Sequence, residues 1–234
     1  YDGWGKQEGR REVEVGWVFG SVRGVSETAA ARRDVKGEIS AYKRRLILEE
    51  ACHLFYAQGY EGATLDAVAE RLNVTKPFIY SYYRNKAEIL REISERGIRL
   101  STAALDTALE TPGTPTERLK LAVDRVTQLI IENQEYIVVY EREEKNLEPG
   151  VARDIRKQRQ AFDKKLETLL AEGAAKGEFA VEDVAFAALS ISGLMSWTAN
   201  WYVPGGRRPP GTYQPSLILS CRCPSAPQLR LPRA

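Results

Sequence analysis

Fifteen residues, LNVTKPFIYSYYRNK (72–86), hold three tyrosines, Tyr80, Tyr82 and Tyr83, and two lysines, Lys76 and Lys86. Ammonium and phenol groups donate hydrogen bonds to phosphate oxygens, which fixes register on a nucleic acid without reading its sequence. Lys76 and Ser81 can reach base edges, and Tyr80 can pack against a thymine methyl. Upstream, the basic run Lys43-Arg44-Arg45 suits either a flanking phosphate or a solvated helix face. Thr64 and Thr75 each have two possible tasks, capping a helix and contacting phosphate. Ile79 is expected to face inward, and either Tyr82 or Tyr83 to join the core.

Other chemistry has little support in the residues. The single histidine, His53, has no carboxylate or cysteine cluster around it. The three cysteines, Cys52, Cys221 and Cys223, form neither a disulfide framework nor a four-ligand metal site. No spacing joins a nucleophile, a base and an orienting carboxylate. The expectation is therefore no enzyme, no metal and no cofactor. The 234 residues carry 43% hydrophobic and 28% charged side chains, as folded chains do, and a net charge of +2. Any basic footprint must then be local. No signal segment and no bilayer-length apolar run is evident, so no membrane is expected as a partner and the cytoplasm is the expected location.

These residues need helices to position them. Residues 1–38 read as a flexible extension, with EVEVGWVFG as a possible short strand. From Tyr42 onward, Ile47, Ala51, Leu54 and Phe55 recur at helical spacing, with Gly59 as the stop. Thr64 opens a second helix whose stripe is Leu65, Val68, Ala69 and Leu72. Asn73-Val74 turns the chain, and Thr75 caps a short third helix with Pro77 in its first turn. Asn85 and Glu88 read as a capping box for a long fourth helix. Thr114-Pro115-Thr116-Glu117 opens another, running through Leu119, Val123 and Ile130 toward Tyr136 and Tyr140. A further helix follows Pro149-Gly150 and is loosened between Gly173 and Gly177. VEDVAFAALSISGLMSWTANWYV, the most apolar run, suits a buried or interface helix ended by Pro204. A short helix is expected at 213–219, before an irregular tail at 220–234. The expected class is all-α. A three-helix head with a helix-turn-helix spans 39–88, and a helical effector-binding and dimerisation domain spans 89–219.

The stretch ILEEACHLFYAQGYEGATLDAVAERLNVTKPFIYSYYRNKAEIL closely resembles the DNA-binding region of the TetR family of bacterial transcriptional regulators. The resemblance rests on the first-helix LF, the GY turn, the threonine-opened second helix, the Val-Thr-Lys turn, the IYxYY element and the lysine after it. It implies a homodimeric, sequence-specific DNA-binding regulator, a repressor that a small molecule releases from a palindromic double-stranded operator. On matching positions Thr64, Lys76, Tyr80, Tyr82 and Lys86 become DNA-contacting candidates, with Lys43, Arg44, Thr75, Pro77 and Ser81 beside them. SWTANWYVPGG looks like a feature of one large subset of the family, whose members often respond to lipophilic compounds or acyl-coenzyme A thioesters.

A regulatory cavity in such a domain is mostly apolar with a few orienting polar groups. Tyr136, Tyr140, Phe162, Phe186, Met195 and Trp197 are the lining candidates, against the alternative that they are plain core. Trp201 and Tyr202 suit a subunit seam. The competing function is a helical ligand-binding or interaction protein that binds no specific DNA.

Overall fold

A computed structural model describes residues 23–203, with side chains from Val35 onward. The expected strand near residue 15, the helix at 213–219 and the tail at 220–234 lie outside the described residues. The chain divides into two compact units, Tyr1–Lys43 and Arg44–Ala234. All described elements are helical: α1 (Arg23–Gly62), α2 (Leu65–Arg71), α3 (Lys76–Tyr80), α4 (Lys86–Glu110), α5 (Pro115–Glu132), α6 (Gln134–Glu143), α7 (Pro149–Ala175) and α8 (Val184–Trp201).

Helix α1 begins at Arg23, inside the segment expected to be a flexible extension. Residues 27–38, ETAAARRDVKGE, are rich in strong helix formers, so propensity carries the helix well before its apolar stripe begins. At the other end, Gly59 takes φ 76° and ψ 161°, which kinks α1 there and sends its last turn on to Gly62. Only glycine adopts that backbone cheaply.

Helices α1 to α3 and the start of α4 share a core built on Ile47, Phe55, Val68, Ile79, Tyr83 and Ile93. Burying Ile79 completely is worth roughly 1.5–3 kcal/mol and helps to anchor a five-residue helix that cannot stand alone. The turn between α2 and α3 follows from hydrogen bonding. Val74 N–H donates to the Ala69 carbonyl at 2.9 Å and Asn73 N–H to the Glu70 carbonyl at 3.0 Å. Asn73 sits at φ 52°, which asparagine tolerates better than most residues.

The second core joins α4, α5, α7 and α8 through Leu105, Val123, Phe162, Leu166, Ile191 and Met195. Thr114 and Glu117 form the expected reciprocal capping box at the start of α5. The single helix expected from Pro115 toward Tyr140 is instead two, broken at Asn133. The Leu129 carbonyl accepts from both the Asn133 N–H at 3.0 Å and its side-chain amide at 2.9 Å, and Asn133 itself leaves helical geometry at φ −116°, ψ 32°. Gln134 then turns its amide onto the Ala199 carbonyl at 2.6 Å and the Tyr202 carbonyl at 3.0 Å, closing the end of α8. Helix α7 ends on Gly177, φ 72°, with the paired bonds Glu178 N–H to Gly173 and Gly177 N–H to Ala174.

Candidate nucleic-acid interface and effector cavity

Helix α3 buries Ile79 and turns its other side outward. Thr64, Thr75, Lys76, Pro77, Tyr80 and Ser81 are all exposed on the α2–α3 surface, and Tyr80 keeps 53% of its surface open. Thr64 caps α2 by accepting from Ala67 N–H at 3.1 Å. Thr75 occupies the first position before α3 but makes no side-chain capping bond, contrary to its expected capping role. With Pro77 at the helix start, one N–H is already missing from the set that a cap would serve. Lys76 reaches back to Asp66 at 2.5 Å, and this contact raises its pKa. Ser81 donates to the Phe78 carbonyl at 2.7 Å, which closes the short helix.

The tyrosines separate cleanly. Tyr83 is completely buried, its hydroxyl donating to Glu92 at 3.1 Å, and burial together with the Glu92 charge pushes its pKa up. Tyr82 is half-buried with its ring 5.3 Å from that of Phe78. Tyr80 faces out.

Two of the basic candidates have work inside the head. Arg44 donates to Glu92 at 2.6 and 3.0 Å and to the Tyr82 carbonyl at 2.7 Å, with its guanidinium 4.1 Å from the Tyr83 ring centre. Lys86 donates to the Tyr60 carbonyl at 2.6 Å and the Ala63 carbonyl at 3.2 Å, where α1 ends, and lies over the Tyr60 ring. Cations are favoured at that negative end of a helix. The sequence offered a signal for this: the GY turn leaves free carbonyls that need a donor. Lys43 is half-buried on α1. Asn85 caps α4 through Glu88 N–H at 2.9 Å, but Glu88 accepts from Arg84 N–H instead of Asn85, so the expected box is only half formed.

A cavity of about 60 Å³, partly open to solvent, lies among α4 to α8. Each helix offers it one face at helical spacing: Ser94, Gly97, Ile98 and Ser101 from α4, and Tyr136, Ile137, Tyr140 and Glu141 from α6. Helix α7 adds Ile155, Arg159, Phe162 and Asp163, and α8 adds Ser192, Met195 and Ser196. Thus Tyr136, Tyr140, Phe162 and Met195 line the cavity. Phe186 and Trp197 do not: they are 69% and 61% exposed on the opposite side of α8, correcting the expectation that they line it. Their spacing along the most apolar run made an inward face plausible, but Ala188, Ile191 and Met195 took it. The serines, Arg159 and Asp163 escaped sequence reading because nothing marks a polar residue on one helix as facing a cavity shared by five. Among the described residues no cluster of histidine, cysteine and carboxylate groups can hold a metal ion. No described helix is long and apolar enough to cross a membrane.

Four residues belong to both regions, Ile98 and Tyr140 by packing against the core of the head. Tyr136 and Ile155 line the cavity and also pack into the core of the head. Helix α6 makes a further link, because Glu143 at its end accepts from Tyr60 N–H at 3.1 Å, just after the Gly59 kink.

Comparison with known proteins agrees with this architecture. The family model for bacterial regulatory proteins of the TetR family matches residues 47–93, and that for the tetracyclin repressor-like C-terminal domain matches residues 112–217. The HTH-type transcriptional activator FasR of Mycolicibacterium smegmatis is 28% identical over 115 residues, 49% of this chain and 52% of FasR. The chain thus aligns with about half the length of that curated relative. The crystal structure of the TetR family regulator PfmR from Thermus thermophilus superposes with a TM-score of 0.67 at 28% identity, covering 74% of this chain and 93% of PfmR. AibR, solved with isovaleryl coenzyme A and operator DNA, shares the fold at 22% identity and a TM-score of 0.66, covering 75% and 96% of the two chains.

Proposed function

The chain belongs to the TetR family of bacterial regulatory proteins, and from that premise we propose that it is a homodimeric transcriptional repressor released from a palindromic operator by a small lipophilic effector. The observation that carries this reading is the exposed face of α3 and its flanking caps, set over the buried Ile79. An element so small, held rigidly from behind, suits entry into a major groove. Lys76, Tyr80, Thr64 and Thr75 are then the DNA contacts, with Pro77 and Ser81 beside them. Arg44 and Lys86, each bonded within the head, act mainly by holding it in shape.

The exposed apolar face of α8 supports pairing of two chains. Phe186, Leu189, Leu194 and Trp197 are 69%, 57%, 53% and 61% open, too much contiguous apolar surface for a solitary helix. Tyr136 and Ile155, shared between cavity and head, give an effector a direct mechanical route to the reading surface. An effector acts to the extent that it prefers the non-binding arrangement.

Footprinting on the DNA that adjoins its gene tests the reading. A Lys76→Ala variant is expected to keep its melting temperature and to lose protection of the operator, with the salt slope reduced by roughly one. Unchanged protection by Lys76→Ala, Tyr80→Ala and Thr64→Ala would remove α3 from the interface.

A further inference from the structure

Resting on the reading of α3 as a DNA-reading surface, we propose that Asp66 is a positioning residue for sequence discrimination. It holds Lys76 for base edges in competition with phosphate, and so weakens binding to duplexes of the wrong sequence. The observation behind it is one ion pair across the α2–α3 turn. Lys76 Nζ donates to Asp66 Oδ2 at 2.5 Å, joining the first turn of α2 to the first residue of α3. The two side chains are 62% and 52% exposed, so the pair lies on the surface offered to DNA and not behind it.

Stability alone does not account for this pair. Ion pairs so open to water contribute little, and α2 already has its cap in the Thr64 bond to Ala67 N–H. An acid in the first turn of α2 is favoured by the helix dipole, but this one reaches across to α3. Of the outward residues Thr64, Thr75, Lys76, Pro77, Tyr80 and Ser81, only Lys76 is charged, and Asp66 balances it. Phosphates are alike on every duplex, so a free ammonium gains from any of them. The paired ammonium has three N–H donors, of which Asp66 takes one. Turning to the backbone either breaks the pair or brings the carboxylate against like charge. Donating the remaining N–H groups to acceptors in the major groove, such as guanine O6 and N7, keeps the pair intact. The cost therefore falls on backbone contact with any duplex and is offset where the matching base is present.

Anisotropy titration of the whole chain tests the proposal, with the duplex adjoining its gene, its single-base-pair variants and a random duplex of equal length. Asp66→Asn is expected to bind the random duplex roughly three- to tenfold tighter, with a salt slope steeper by about one. The adjoining duplex is expected to gain less, so the preference between the two falls several-fold while the melting temperature matches that of the native chain. Because Asp66 acts through Lys76, Asp66→Asn and Lys76→Ala are expected to relax preference at the same base pairs. An unchanged preference in Asp66→Asn, or relaxation at base pairs that Lys76→Ala leaves alone, overturns the proposal and leaves the DNA-reading assignment standing. A native chain that does not distinguish the adjoining duplex from the random one removes that assignment and the proposal with it.

Discussion

Lys86 and Lys76 illustrate how the same side chain takes opposite roles a few residues apart. Lys86 is half-buried and spends its ammonium on the carbonyls of Tyr60 and Ala63, so its removal acts on stability before it acts on DNA. Lys86→Ala is expected to cost about 1–2 kcal/mol in urea unfolding, by loss of charged hydrogen bonds at a helix end. A change below a few tenths would show that solvent replaces the lysine without loss. Tyr83→Phe is expected to cost about 1 kcal/mol, because Glu92 and Arg44 keep each other when the hydroxyl goes. Denaturant midpoints of the two variants check both figures. The inward turn of Ile79 followed from sequence alone, since its neighbours are polar or aromatic. Which tyrosine filled the core did not, because Tyr82 and Tyr83 are adjacent and each has an apolar ring with a polar tip. Only the position of Arg44 and Glu92 on other turns chose Tyr83.

Element by element, the ends were more legible than the breaks. Thr64, Asn85 and Thr114 cap as their types require, because N-cap bonding is local. The division of α5 from α6 at Asn133 was hidden, since apolar spacing continues through it and the backbone leaves helical geometry at that one residue. Helix α7 shows how closely its end is fitted. A Cβ on Gly173 would stand 2.2 Å from the Phe179 ring, and Phe179 is buried. Gly173→Ala should therefore destabilise by about 1–3 kcal/mol, despite alanine's better helix propensity, as thermal melts will show. A neutral or stabilising result would mean that Phe179 moves aside freely. Between α5 and α7, hydrogen bonds from Arg118 and Lys176 hold the Glu172 carboxyl near a pKa of about 2, below its ordinary 4.5. A depressed carboxylate adds stability above its unfolded pKa and loses it as pH falls through the folded value. The stability gap between the native chain and Glu172→Gln should be full above about pH 5 and narrow steadily on acidification toward pH 2. A gap that does not change with pH would assign the effect of the substitution to packing alone.

For the whole molecule, the claim is that two heads on one paired effector domain read two half-sites. The all-α class and the head were legible because a compact motif names its own packing. The cavity was legible only in part, because its wall takes one face from each of five helices that no local pattern relates. The outward face of α8 was read as cavity lining at Phe186 and Trp197, and its exposure is what supports the proposed pairing with a second chain. Trp197→Glu should give a monomer in sedimentation at micromolar concentration, and operator affinity should fall with it, since one head engages few phosphates. A variant that stays dimeric would move the interface elsewhere. The most direct test is anisotropy titration of the native chain against the duplex adjoining its gene and against a random duplex of equal length, at two salt concentrations. The expected result is a preference of roughly a thousandfold or more that persists as both affinities fall with salt. Equal affinity for the two duplexes would contradict sequence-specific regulation.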